Sequence, residues 1–185
     1  MVASTVIGLM FLSSSVAAAE MDISNSTQVL LPTDLETVAV FAQKQQPVDP
    51  KELNCLARNI YHESGSETDQ GKIAVGMVTL NRTETDQWPD TVCGVVKQRT
   101  QSKGRSICQF SWVCNRARQV IDKADERWQH SLSVAQHLLS GGYEQHKARY
   151  GNILYFHSVK VNPQWTNLKR STRIGGHVFY TAQHK

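Results

Sequence analysis

Leu53, Leu56, Ala57, Ile60 and Tyr61 recur at helical spacing, so the sequence predicts a helix with one buried face there. Its start is marked by Asp49-Pro50-Lys51-Glu52: a capping residue, a proline at the first helical position and a glutamate three residues after the cap. A second helix is predicted from about Asp69 to Arg82, with Ile73, Ala74, Met77, Val78 and Leu80 on its buried side. Trp88-Pro89-Asp90 reads as a turn, and Thr91 to Lys97 as a short helix. A basic loop follows, carrying Lys97, Arg99, Lys103 and Arg105. A later helix is expected over roughly Trp128 to Leu139, stopping at Gly141-Gly142. Ile153 to His157 and His177 to Tyr180 are short, aromatic and β-branched, and are bracketed by Gly151 and Gly175-Gly176, which predicts a small β-hairpin. The pattern as a whole describes an α+β fold, mainly helical.

Upstream of Asp49 the pattern changes. Met1 to Ala19 contains no charged side chain, Val6 to Leu12 is strongly apolar, and Ala17-Ala18-Ala19 supplies small residues for cleavage before Glu20. Residues 1–19 therefore read as a secretory signal peptide. The absence of Lys or Arg from its first residues keeps an uncleaved anchor as the alternative, although the apolar core is short for a spanning helix. Residues 20–48 are rich in Ser, Thr, Gln and Asp and read as a flexible tether. The folded domain is expected over 49–185.

Composition narrows the picture only a little. Among 185 residues, 40% are hydrophobic and 19% charged, which excludes a disordered or fibrous chain and suits one domain with a substantial core. The net charge of +4 is compatible with a polyanionic partner without naming one. The four cysteines gain meaning from the export signal, because an exported chain meets an oxidising compartment. Four thiols allow three pairings. The favoured one joins Cys108 to Cys114 and Cys55 to Cys93, with free, packed thiols as the alternative. No two cysteines have the two-residue spacing of a zinc knuckle.

The candidate chemistry centres on Glu63, which lies seven residues after Leu56 and three after Ile60. It thus shares a face with buried residues. A carboxyl held there loses hydration, its pKa rises, and it stays protonated near neutrality, which is what a general acid needs. A helix-terminal glutamate turned to solvent is the plainer alternative. Retaining and inverting glycosidases use two carboxyl groups about 5 to 10 Å apart. Only Glu67 and Asp69 are sequence neighbours of Glu63, and Gly65 leaves the direction of Glu67 undetermined.

From about Glu52 to Tyr180 the chain resembles the cell-wall hydrolase family that includes the spore-cortex-lytic enzymes. The resemblance rests on Tyr61-His62-Glu63-Ser64 with Glu67, on Gln70-Gly71 through Ala74-Val75-Gly76 to Leu80-Asn81-Arg82, and on Thr91-Val92-Cys93-Gly94-Val95-Val96. It continues through Cys108-Gln109-Phe110-Ser111-Trp112, Leu154-Tyr155-Phe156-His157 and Thr172-Arg173-Ile174-Gly175-Gly176-His177. The resemblance implies a lysozyme-like domain with Glu63 as catalytic acid, acting on the bond between N-acetylmuramic acid and N-acetylglucosamine in the manner of a lytic transglycosylase. Ser64-Gly65-Ser66 departs from the Ala-Arg-Gly run more usual in the family, and resembles the Glu-Ser pair of other transglycosylases.

The same resemblance marks a substrate-binding set. Gln109, Phe110 and Ser111 are implied to line the cleft near the acid, and Glu67 and Asn81, from the motifs quoted, join them as substrate-binding candidates; Tyr155 and Trp165 offer rings for sugar stacking; Arg173 and His177 flank a glycine pair that lets the backbone approach a ligand. Core packing is the alternative for Phe110, and a structural histidine for His177. The expected partner is the peptidoglycan glycan strand, met as a monomer in the periplasm or outside the cell, with no nucleic acid and no stable membrane association once the leader is removed. No cofactor is required by this chemistry, and no metal is expected. A muramidase, a zinc amidase and a silent wall-binding module are the alternatives. The amidase needs converging ligands, whereas His62, His130, His137, His146, His157, His177 and His184 are scattered and form no His-Glu-x-x-His motif.

Overall fold

The computed structural model describes residues 47–182. The expected leader and all but the last two residues of the expected tether lie outside them. Helix α1 spans Pro50–Ser64 and starts as its sequence demands: the Asp49 side chain accepts a hydrogen bond from the Lys51 amide, and Pro50 occupies the first turn. Helix α2 spans Asp69–Thr83, with the Thr68 hydroxyl as its cap. Apart from Ile73, every residue of α2 from Gly71 to Arg82 is buried. A helix enclosed on all sides shows little amphipathic periodicity, and this one forms the central post of the domain.

Helix α3 (Val92–Lys97) follows the expected turn and is tied to α1 by a disulfide between Cys55 and Cys93. The basic loop is a finding against expectation. Arg99–Ser102 (β1) and Arg105–Cys108 (β2) form an antiparallel hairpin whose residues are nearly all exposed. Backbone pairing alone defines it, so no alternation of apolar residues announces it. Two single turns of 3-10 helix, Ser111–Cys114 and Arg116–Gln119, come next, and the second disulfide joins Cys108 to Cys114.

Helix α4 runs Glu126–His137, and the helical path breaks as expected at the glycine pair, with non-helical backbone at Ser140 and Gly141. The segment Leu138–Gly142 turns the chain at Ser140 and Gly141, the latter with φ of 116°, and leads directly into helix α5 (Tyr143–Tyr150). The double glycine thus ends α4 as expected, and the finding is the second helix that starts right after it.

The expected hairpin of Ile153–His157 with His177–Tyr180 is corrected in its connectivity. Strands β3 (Tyr155–Ser158) and β5 (His177–Ala182) do pair antiparallel, with Phe156 opposite Phe179. Between them in sequence lies β4 (Leu168–Ile174), which pairs with the other edge of β5. The sheet order is β3-β5-β4, and the true hairpin is β4–β5 through Gly175-Gly176. The core runs through Leu56, Ile60, Met77, Val78, Trp112, Leu138, Ile153 and Phe179, which unites α1, α2, the 3-10 turns, the turn after α4 and the sheet. The fold is α+β and mainly helical, as the pattern predicts. No helix among the described residues is long and apolar enough to cross a membrane.

Candidate active site

Glu63 is the penultimate residue of α1. The last turn stays tight beneath it, because the Ser64 hydroxyl donates to the Ile60 carbonyl at 3.0 Å and the Gly65 amide to the Tyr61 carbonyl at 3.1 Å. The side chain is half-buried, and no described residue hydrogen-bonds its carboxyl. Desolvation pushes its pKa up to about 7, while the fields of Arg118 and Arg82 pull in the opposite direction. The group is therefore poised near neutrality, neither held as carboxylate by a close cation nor locked as a neutral acid.

Two clefts meet at this residue. One, of about 390 Å³, is lined by Glu63, Ser66, Glu67, Arg118, Val120 and Arg127 among others. The second, of about 670 Å³, runs from Glu63 past Ser111 and along Phe156 to Val161 and His177. A carboxyl at the junction of two clefts is placed for a ligand that extends on both sides of it.

Glu67 is the other carboxylate on these walls, and the turn between β4 and β5 claims it. The Gly176 amide donates to its Oε2 at 3.1 Å, and its Oε1 lies 3.9 Å from Nδ1 of His177. Gly175 has φ of 53°, and a Cβ there would collide with the same carboxylate. Only glycine lets this turn close over Glu67. Burial lowers the pKa of His177, with Glu67 acting the other way, so His177 is a neutral imidazole near pH 7.

His62, beside the acid in sequence, stacks on Trp112 with ring centroids 4.5 Å apart. Burial, then the charges of Arg58 and Arg118, push its pKa down to about 4. It offers no proton at neutrality, which leaves Glu63 as the poised donor.

The structure brings together only part of the set read from the sequence. Glu67, Ser111 and His177 line the clefts with Glu63. Asn81 does not, and its assignment to substrate is corrected: its amide donates to the carbonyls of Tyr150 and Ile153 at 2.7 and 2.8 Å, a buried clamp between α2 and the entry to β3. Phe110 is likewise core, 4% exposed. Gln109 is exposed and its amide extends the β1–β2 ladder to the Gln98 carbonyl. Tyr155 and Trp165 belong to an aromatic group with Trp88, His157 and Tyr180, in which Trp165 stays 38% exposed. Arg173 points from exposed β4, with Nε 3.5 Å from the Gly175 carbonyl.

Arg82 was missed as a site residue. It is buried, donates from Nε to the Leu154 carbonyl at 2.9 Å, and lies over the rings of Trp88, Phe110 and Tyr155 at 5.4, 5.6 and 5.9 Å. Burial lowers its pKa to about 10, so it remains a cation whose field reaches Glu63. A charged residue near a helix C-terminus reads as a dipole partner in sequence. The signal that could have found it is the number of aromatic residues that converge on it from distant segments. Arg118, exposed on the second 3-10 turn, was missed for the opposite reason, since nothing in its neighbourhood of the chain distinguishes it from a solvated cation. Among the described residues, no group of three or more His, Cys, Asp and Glu side chains converges to hold a metal ion.

Comparison with known proteins bears on the whole domain. The sequence model of the family described as Cell Wall Hydrolase matches residues 66–180, a stretch that begins three residues past Glu63. Among solved structures, the catalytic domain of the germination-specific lytic transglycosylase SleB from Bacillus anthracis is similar at TM-score 0.51 and 20% identity, over 74% of this chain and 98% of that one. The catalytic domain of the Bacillus cereus SleB protein is similar at TM-score 0.49 and 20% identity, over 74% and 94%. At that identity the first likeness shows a shared fold. No curated protein matches the chain.

Proposed function

The chain belongs to the cell wall hydrolase family, and from that premise we propose that it is an exported peptidoglycan-lytic enzyme, a lytic transglycosylase in which Glu63 is both acid and base. The observation that carries the proposal is the state of the Glu63 carboxyl: withdrawn from water, without a hydrogen-bonding partner among the described residues, its pKa about 7, at the meeting point of two clefts. The glycan strand is the substrate, with sugars on either side of the acid.

In the first step Glu63 protonates the oxygen that links N-acetylmuramic acid to N-acetylglucosamine, and the glycosidic bond breaks as oxocarbenium character develops at C1. Now a carboxylate, Glu63 takes the proton of the C6 hydroxyl on the same muramic acid. That oxygen attacks C1, closes a 1,6-anhydro ring and restores the protonated acid. One residue suffices because the nucleophile is carried by the substrate, at high effective concentration. The engagement of Glu67 with the Gly175-Gly176 turn supports this reading, since a two-carboxylate mechanism would need its oxygens turned to the sugar. His177 and Ser111, on the wall of the second cleft, are proposed contacts for the sugar on that side, and Trp165 a stacking surface at greater distance.

Two disulfides suit the oxidising compartment that a secretory leader over residues 1–19 would deliver the domain to. The test of the reaction type is mass analysis of fragments released from purified peptidoglycan. Anhydro ends are 18 Da lighter than reducing ends by the mass of one water; reducing muramic acid ends would mean hydrolysis, and free stem peptides an amidase. EDTA is expected to leave the rate unchanged, as no step uses a metal.

A further inference from the structure

Between Asp90 and Asp122 the chain carries Lys97, Arg99, Lys103, Arg105, Arg116 and Arg118 and no Asp or Glu. Those six cations exceed the net charge of +4 of the whole chain, so the remainder is net acidic. All six side chains are exposed, on the end of α3, the β1–β2 hairpin and the second 3-10 turn. We propose that Arg118, with the cationic run that leads to it, binds the carboxylates of the stem peptide on the muramic acid seated at Glu63, so that the domain prefers peptide-bearing glycan to bare glycan. The inference rests on the glycan reading above, though not on the reaction assigned to Glu63.

The turn that presents Arg118 is braced. Asn115 caps it, its side chain accepting from the Ala117 amide at 3.0 Å. Nε2 of Gln119 donates to the carbonyls of Trp112 and Val113 at 2.9 and 3.3 Å, and the Arg58 guanidinium donates to the Gln119 carbonyl and Oε1 at 2.8 and 2.9 Å. Arg58 belongs to α1, the helix that carries Glu63. One element thus holds both the acid and the Arg118 turn. The Cys108–Cys114 disulfide ties the base of the hairpin to the first 3-10 turn, just upstream. A side chain on a turn held this way has less freedom to lose on binding than one on a loose loop.

The charge is also available. Arg118 and Arg127 both line the first cleft with Glu63, but Arg127 is neutralised by Asp125, with which it pairs. Among the described residues Arg118 has no carboxylate within bridging distance, and neither have the other five cations of the run. Glu67, on the same wall, is engaged by the Gly176 amide. The second cleft carries Lys160 as its one Lys or Arg among the described residues, so the positive wall is that of the first.

The stem peptide hangs from O3 of muramic acid, two ring carbons from the C1 that reacts. A muramic acid seated at Glu63 therefore sends its peptide along a wall of the cleft. The free carboxylates of that peptide suit the planar guanidinium fork, which takes a carboxylate through two parallel N–H···O bonds. One exposed pair of this kind binds weakly. A strand with a peptide on successive muramic acids presents many carboxylates to six cations, and linked contacts multiply.

Co-sedimentation of the full chain with insoluble peptidoglycan tests the proposal, with Glu63→Gln in place so that the polymer is not consumed. The polymer is used intact or stripped of its peptides by an amidase. Intact polymer should bind at least about tenfold more tightly, and Arg116→Gln combined with Arg118→Gln should cut that ratio to about twofold or less. Arg149→Gln, which removes an exposed cation on α5 outside both clefts, should leave the ratio as it was. Raising salt from about 0.05 to about 0.5 M should shrink the ratio, because exposed charges are screened. Equal retention on the two polymers, or a ratio that survives the paired Arg116 and Arg118 substitutions, overturns the proposal. Lysis by the wild type is scored separately on the stripped polymer, so failure of the reading of Glu63 is seen apart from failure of this one.

Discussion

The Gly176 amide donates to Oε2 of Glu67 at 3.1 Å, across 109 residues of sequence. This bond joins the loop after α1 to the β4–β5 hairpin, and so fixes the second cleft wall relative to the acid. Glu67 is therefore expected to matter as a strut. Glu67→Gln keeps an oxygen for the Gly176 amide and should retain most of the turnover. Gly175→Ala meets both a positive φ and the carboxylate, and should lower stability by about 1 to 3 kcal/mol. Denaturant titration and turnover on the two variants check this; loss of chemistry in a folded Glu67→Gln would make Glu67 a second catalytic group.

The raised pKa of Glu63 makes a thermodynamic prediction. The folded state favours the protonated form, with pKa about 7 against 4.5 when unfolded, so stability is fullest below the unfolded value and is lost as pH rises through about 7. Glu63→Gln removes the ionisation. The variant should be more stable than wild type at pH 8, by roughly 2 to 3 kcal/mol, with the gain vanishing toward pH 4.5. Melting curves across that range decide it, and a gain independent of pH would show that the carboxyl is not desolvated.

Activity follows the same proton. The first step needs protonated Glu63, so kcat/KM should fall about tenfold per pH unit above about 7. Arg118 acts to lower this pKa, so Arg118→Gln should move the alkaline limb to higher pH. A limb that shifts downward, or stays fixed, would contradict the assigned field.

The two disulfides close loops of different size, with sequence separations of 38 and 6. Loop entropy assigns roughly 4 kcal/mol to Cys55–Cys93 and about 2 kcal/mol to Cys108–Cys114. Replacing each pair by serine and comparing unfolding midpoints should reproduce that order.

What could be read in the sequence, and what could not, divides along physical lines. Helix α1 was legible because Asp49 caps it by a side-chain bond that short-range rules describe, helix α2 because of its run of apolar positions from Ile73 to Leu80, and the place of Glu63 followed from the spacing of Leu56 and Ile60. Both disulfides form as favoured. Strands β1, β2 and β4 were not legible. Arg99 to Ser102 and Leu168 to Ile174 are largely exposed, and their pairing is made by the backbone, which carries no residue pattern. Helix α5 was not legible because Tyr150 is its one buried residue, which leaves no apolar stripe to announce it. At the site, Asn81 stands on the buried side of α2 and its amide serves the backbone of Tyr150 and Ile153, a long-range bond invisible in the chain.

If one residue carries both proton transfers, turnover of Glu63→Gln on purified peptidoglycan must collapse. An amide of the same shape cannot donate the proton, and general acid–base catalysis is worth about 10²- to 10⁴-fold, so a lone acid with two duties should cost that range or more while the fold stays intact. A folded Glu63→Gln protein that keeps more than half of the wild-type rate would show that Glu63 is not the proton donor.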